Sequence, residues 1–181
     1  MHIRDAQDCD LLQVTAIYNH AVEQTTAIWN DQTVDLANRR AWLAGRYQAG
    51  YPVIVASSDQ GDVLGYASFG DWRAFDGYRH TVEHSVYVRA DSRGGGVGMA
   101  LMKELIQRAR SIGKHVMVAG IESTNAPSVA LHEKLGFKRV GQLSEVGTKF
   151  GSWLDLTFMQ LMLDHRITPD LLSADSEPQS M

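Results

Sequence analysis

Val86-Tyr87-Val88 is followed, five residues on, by Arg93-Gly94-Gly95-Gly96-Val97-Gly98-Met99. A short strand-forming run thus gives way to an arginine, a run of glycines and the first turn of an amphipathic pattern. Val97, Leu101, Leu105 and Ala109 recur at helical spacing. The stretch reads as a strand that ends, a glycine turn and a helix that begins. The first N–H groups of a helix have no intrahelical partner and carry a partial positive charge. Glycine lets the backbone approach a bulky anion and adopt positive φ. Arg93 adds a permanent charge on a planar set of donors. Together these make an anion site of pyrophosphate size. Two other phosphate loops are excluded by spacing. A dinucleotide fingerprint needs G-x-G-x-x-G, but counting from Gly94 ends on Met99 and counting from Gly96 ends on Leu101. A Walker A loop ends in Gly-Lys-Ser/Thr, and none occurs. On the turn alone, a glycine-rich connection without a ligand stays open.

Working outward, residues 81–88 form a long strand before the turn, and 115–121 a buried strand after its helix, which runs to about 112. Residues 51–56 and 63–69 are strand-like around the polar segment 57–62 and read as a hairpin. Residues 2–4 form a short first strand. Leu11, Val14, Ile17, Tyr18, Ala21 and Val22 mark a helix over 8–23. Leu36, Trp42, Leu43 and Tyr47 mark a second over 34–49, stopped by Gly50, and Trp42 and Tyr47 are assigned to the core. A short helix over 128–135 closes at Gly136, and 138–146 with 153–163 make a final hairpin. The order predicts an α/β domain over residues 1–165, with a mixed, mostly antiparallel sheet of seven strands flanked by four helices. Residues 166–181 show little apolar periodicity and are expected to form a weakly ordered tail.

The 181 residues carry 17 Lys+Arg against 21 Asp+Glu, a formal net charge of -4. That balance disfavours nucleic acid and anionic membrane as partners. Cys9 is the single cysteine, which excludes an internal disulfide and a cysteine-rich metal site; no metal is expected. With no secretory pattern at the start and no bilayer-length apolar run, the expected location is the cytoplasm.

The turn Arg93-x-x-Gly96-x-Gly98 after its strand resembles the acyl-CoA pyrophosphate loop of the GNAT N-acetyltransferases. Asn125-Ala126-Pro127-Ser128, with Leu131-His132-Glu133-Lys134-Leu135-Gly136-Phe137, resembles that superfamily's motif around the pantetheine arm. The likeness covers residues 2–163. A narrower likeness, to the phosphinothricin and methionine sulfoximine acetyltransferases, rests on Tyr18-Asn19-His20, Thr25 to Trp29, Glu83 to Val88, and above all the G-x-K-x-G-x-W-x-D pattern from Gly147 to Asp155. Many GNATs place a tyrosine where this chain has His132; the narrower family tends to have histidine.

The resemblance implies a sheet splayed at the cofactor strand, acetyl-CoA as co-substrate, and direct transfer to an amine without a covalent intermediate. Val86, Tyr87 and Val88 would pair with the pantetheine arm as an added strand does. Arg93, Gly94, Gly95, Gly96, Val97, Gly98 and Met99 would hold the pyrophosphate, and Asn125 and Ser128 the pantetheine. Glu83 is the candidate general base and His132 the candidate proton donor to the departing thiolate. His84 should face away from Glu83, because side chains alternate along a strand. The loop 70–79 groups Trp72, Arg73, Phe75, Asp76 and Tyr78. Arg73, Phe75, Asp76, Gly77 and Ser85, with Trp29, Lys149 and Trp153, are the substrate candidates. Lys114 and Lys134 read as ordinary surface charges. The expected function is N-acetylation of the α-amine of a small amino acid, such as methionine sulfoximine, methionine sulfone or phosphinothricin, by a homodimer. Its two-fold interface would run near the substrate cleft. The alternatives are a GNAT for another amine (polyamine, aminoglycoside or protein N-terminus) and an acyl-CoA-binding sensor without turnover.

Overall fold

A computed structural model describes residues 1–169. In chain order it contains β1 (His2–Asp5), α1 (Leu11–Gln24), α2 (Leu36–Gln48), β2 (Val53–Ser57), β3 (Val63–Asp71), β4 (Thr81–Val88), α3 (Val97–Ser111), β5 (Val116–Glu122), α4 (Ala126–Lys134), β6 (Lys138–Lys149) and β7 (Ser152–Met162). The strands form one sheet in the order β1-β2-β3-β4-β5-β7-β6. All neighbours are antiparallel except β4 and β5, which are parallel.

Strand alternation builds a core on each face. Ile54, Ala67, Phe69 and Met117 turn toward α3 and meet Leu101, Met102 and Leu105. Val53, Val55 and Tyr66 turn the other way and meet Leu11, Val14 and Ile17 of α1 and Leu43 of α2. Helix starts follow local chemistry. Asp35 caps α2 by accepting from the Asn38 N–H at 2.8 Å, which fixes the start at Leu36 instead of 34. Asn125 caps α4 in the same way, accepting from the Ser128 N–H at 3.2 Å.

The feature that positions the site is a mismatch in strand pairing. β4 pairs with β5 over Thr81, Val82 and Glu83 alone. Its other edge stays paired with β3 as far as Val88, and β5 stays paired with β7 as far as Glu122. Beyond Glu83 the two parallel strands diverge and leave a gap through the sheet.

Two residues differ from the sequence reading. Tyr47 is exposed instead of core, and its hydroxyl donates to the Ala6 carbonyl at 2.6 Å. Lys114 is no loose surface charge: its ammonium donates to the Arg79 carbonyl at 2.6 Å and to Tyr51 Oη at 3.2 Å, and burial lowers its pKa. Residues 170–181, most of the expected tail, lie outside the described residues. At the tail's start, Arg166 donates to the Gly113 carbonyl.

Candidate active site

The gap between β4 and β5 opens into two adjoining hollows that share Ala27, Val86, Tyr87, Asn125 and Ser128. The outer one, about 740 Å³, runs along β4 to the glycine turn and is lined by Arg93, Gly94, Gly96, Val97, Gly98 and Met99. Gly94 and Gly96 have φ of 77° and 81°, the left-handed region in which a side chain is strained. Gly96 is the N-cap of α3 and has no side chain to occupy the helix's leading N–H groups, so they remain available to an anion.

The inner hollow, about 320 Å³, lies where the strands part. Arg46, Gly70, Asp71, Glu83, Ser85, Gly120, Glu122 and His132 are among the residues lining it. Three carboxylates face it, and hydrogen bonding separates them. Glu122 accepts from the Thr124 N–H at 2.9 Å, the Thr124 hydroxyl at 2.6 Å and the Thr26 hydroxyl at 3.2 Å. Asp71 accepts from the Tyr51 hydroxyl. Glu83 alone of the three has no hydrogen-bond donor among the described residues. Its room comes from Gly120: a Cβ there would stand 3.1 Å from Glu83 Oε1. Burial raises the Glu83 pKa above the ordinary carboxylate value, and the positive charge of Arg73 pulls it partly back.

On the other face His84 and His132 stack with ring centroids 5.0 Å apart and their Nε2 atoms in contact at 3.0 Å. His132 Nδ1 lies 2.7 Å from the Ser128 carbonyl. A carbonyl only accepts, so Nδ1 carries the proton, His132 Nε2 accepts, and His84 Nε2 is the donor. That leaves His84 Nδ1 as a buried acceptor without a partner among the described residues. Burial holds both rings neutral, pushing the His84 pKa down to about 3 and lowering that of His132.

The acetyltransferase (GNAT) family model matches residues 14–137. This chain belongs to the GNAT acetyltransferase family. Over 162 residues the GNAT chain is 63% identical to the L-methionine sulfoximine/L-methionine sulfone acetyltransferase of Pseudomonas aeruginosa, covering 90% of this chain and 94% of that one. It is 39% identical over 163 residues to a phosphinothricin N-acetyltransferase of Alcaligenes faecalis, covering 90% and 82%. An acetyltransferase from Salmonella typhimurium solved with its cofactor acetyl-CoA is 59% identical and superposes with a TM-score of 0.91, covering 94% of this chain and 98% of that one.

Around the cleft of this GNAT domain the structure gathers Glu83, Ser85, His132, Asn125, Ser128 and the turn residues. Glu83 and His84 point to opposite faces, as strand alternation requires. Gly95 sits in the turn but does not line the groove. Arg73 is exposed, with its guanidinium 4.0 Å above the Trp72 ring, and Trp72 packs edge-on against Phe158 at 5.4 Å. Arg73 and the remaining substrate candidates apart from Ser85 lie outside both hollows. Phe75, 76% exposed, and Trp153, 68% exposed, project into solvent, and Asp76 and Gly77 form a short turn beside Phe75. Trp29 lies flat on Gly147, where a Cβ would overlap its ring, and Lys149 is buried with its ammonium on the Ile28 carbonyl. These two tie the loop after α1 to the last hairpin.

The sequence reading did not anticipate Arg46, Asp71, Gly120 or Glu122. Gly120 carried a usable signal, since a glycine inside a buried strand marks a close approach. Nothing local marked Arg46, whose place depends on how α2 lands on β3.

Proposed function

We propose that this protein transfers the acetyl group of acetyl-CoA to the α-amine of a small amino acid bearing an oxidised sulfur or phosphorus side chain, such as methionine sulfone, methionine sulfoximine or phosphinothricin. The outer groove suits acetyl-CoA on physical grounds. The glycine turn and the uncapped start of α3 offer donors to a pyrophosphate, with Arg93 beside them. The unpaired edge of β4 from Ser85 to Val88 offers backbone groups to an extended, amide-bearing arm. Acetyl-CoA supplies a thioester carbonyl that a neutral amine attacks.

The observation that carries the reading is the free carboxylate of Glu83 at the point where β4 and β5 part. An amine at neutral pH is mostly protonated and must lose a proton before it attacks. Glu83 has no donor of its own to satisfy, and burial makes it a stronger base than an ordinary carboxylate. An amide N–H on the free edge of β4 stabilises the oxyanion. His132 is the acid toward the thiolate. As it stands its Nε2 accepts from His84, so to act as the acid it must leave that contact, take up a proton at Nε2 and return to the neutral ring on giving that proton to the thiolate.

On the substrate side, Arg73 receives the α-carboxylate, close enough to Glu83 for its charge to be felt there. Phe75, Asp76 and Gly77 continue that rim, and Trp29 and Lys149 hold together the loop after α1 and the last hairpin, which carries Trp153 on its exposed side. The last hairpin supports a homodimer. Val140, Leu143, Val146, Phe150 and Trp153 are all exposed on β6, on β7 and at the turn between them, an apolar surface that a monomer would leave in water. Among the described residues no helix is long and apolar enough to cross a membrane; the proposed location is the cytoplasm. The test is CoA release by the purified protein across a panel of amino acids and their sulfone or sulfoximine analogues, with polyamines and an aminoglycoside as controls. Turnover confined to the control amines would refute the substrate class. Binding of acetyl-CoA without turnover of any amine would favour a sensor.

A further inference from the structure

The inner hollow contains a cation to which the reaction above gives no role. Arg46 reaches from α2 across the sheet and lays its guanidinium on the backbone of Gly70, where a Cβ would overlap Nη1. The side chain is half-buried, and its Nε is shut off from solvent with no hydrogen-bond partner among the described residues. Asp71 acts on it by charge alone, its carboxylate being held by Tyr51. Desolvation lowers the Arg46 pKa, the mark of a guanidinium withdrawn from water without full compensation. A planar fork of donors in a cleft, lacking acceptors and seated where only glycine leaves room, is a receptor for oxygen atoms brought by a ligand.

Its position indicates which oxygens. Gly70 stands directly opposite Glu83 in the β3–β4 ladder, so Arg46 and Glu83 share one face. The Glu83 carboxylate leans toward Gly120 on β5, while Arg46 covers β3. A molecule whose amine meets Glu83 therefore crosses the hollow to reach Arg46. The α-carboxylate is one carbon from the amine and is assigned above to Arg73, whose charge lowers the Glu83 pKa. What reaches Arg46 lies a few bonds further along the substrate, on its side chain. We propose that Arg46 binds the paired heteroatoms on the side-chain sulfur or phosphorus of the substrate, and so sets a preference for sulfone, sulfoximine and phosphinate amino acids over the thioether methionine. The two oxygens of a sulfone or phosphinate match the two-donor spacing of a guanidinium, whereas a thioether sulfur is a weak acceptor. This inference rests on the amino-acid reading of the cleft given above.

The experiment compares kcat/KM for methionine sulfone and for methionine in wild type, Arg46→Met, Arg46→Lys and Gly70→Ala, with thermal melts and acetyl-CoA affinity as folding controls. Gly70→Ala keeps the charge but pushes the fork off its seat, so it decides the question if Arg46→Met fails to fold. Expected is a preference for the sulfone in wild type. Arg46→Met and Gly70→Ala should lose about tenfold or more on the sulfone and stay within about threefold on methionine, and Arg46→Lys should fall between. Equal losses on both compounds, or an unchanged ratio, would overturn the assignment of Arg46 while leaving the substrate class standing. A wild type that acetylates neither compound overturns the substrate class itself, and this inference with it.

Discussion

Glu83→Gln keeps the shape of the side chain and removes both its charge and its basicity. Since Glu83 receives no hydrogen bond among the described residues, the exchange breaks none and loses only the attraction of the exposed Arg73. For activity, loss of a positioned general base costs about a hundredfold or more in kcat, or about 2.7 kcal/mol of barrier. For stability the sign is opposite. Burial raises the folded pKa of Glu83 above its unfolded value, so the folded state holds the proton more tightly than the unfolded chain. That contribution is fully present below the ordinary carboxylate pKa and is lost as pH rises through the folded pKa. At pH 7 the ionised, partly buried group is a net cost, which glutamine removes. Each kcal/mol recovered raises Tm by about 2–4 °C in a domain of this size. The variant should therefore be nearly inactive, bind acetyl-CoA normally and melt a few degrees higher at pH 7, with the difference closing toward pH 4. Wild-type kcat/KM should rise with pH through the same folded pKa. Scanning calorimetry from pH 4 to 8 and CoA-release kinetics read both effects. A variant that keeps more than a tenth of its kcat would mean another group takes the proton, and a lower Tm at pH 7 would mean that the carboxylate has a partner after all.

Gly96→Asp sets a side chain and a negative charge at a left-handed position against the pyrophosphate, so acetyl-CoA affinity should collapse while the fold survives; calorimetric titration with unchanged affinity would remove the pyrophosphate assignment. Arg73→Ala should raise KM for methionine sulfone by the loss of a charge-assisted pair, about 1.5–3 kcal/mol, and hurt its decarboxylated analogue much less. It should also move the pH profile upward, since the charge that lowers the Glu83 pKa is gone; equal losses on both compounds with an unmoved profile would refute it. Leu143→Glu combined with Val146→Glu should convert a dimer to a monomer by light scattering, and a fully active wild-type monomer would dismiss the interface.

What could be read from the sequence was what is decided locally. The strand, glycine turn and helix start within residues 81–111 were legible because each has its own chemical signature, while the divergence at β4 was implied only by the resemblance that the turn carries. Glu83 and His84 separated onto two faces because alternation is a property of the strand itself. Arg46 was invisible, since its value comes from the angle at which α2 crosses β3 and from the missing side chain at Gly70, a contact between distant segments. Tyr47 misled for the converse reason. It keeps helical spacing with the apolar residues of α2, but it lies at the end of the helix, past the edge of the core, where a hydroxyl finds a backbone carbonyl. The last hairpin ran longer than expected because Phe150 and Gly151 take up φ of 51° and 76° and turn the chain tightly. Positive φ at a phenylalanine cannot be foreseen from residue preference.

The free edge of β4 between Ser85 and Val88 also bears on how the chain folds and keeps. Edge strands at the rim of a sheet are guarded by charges, bulges or brevity, because a row of unpaired N–H and C=O groups recruits any extended chain nearby. Here the exposed row lies in the middle of the sheet, lined by apolar and aromatic residues, and such guards would block the groove. A freshly synthesised molecule therefore carries a vacant strand position, which an arriving ligand fills much as an eighth strand would. Ligand at a hundredfold excess over Kd adds about 2.7 kcal/mol to stability by mass action. It also closes the template against pairing with a neighbour. Ligand-free protein at high concentration is therefore expected to aggregate more readily than its acetyl-CoA complex, a difference that light scattering reads.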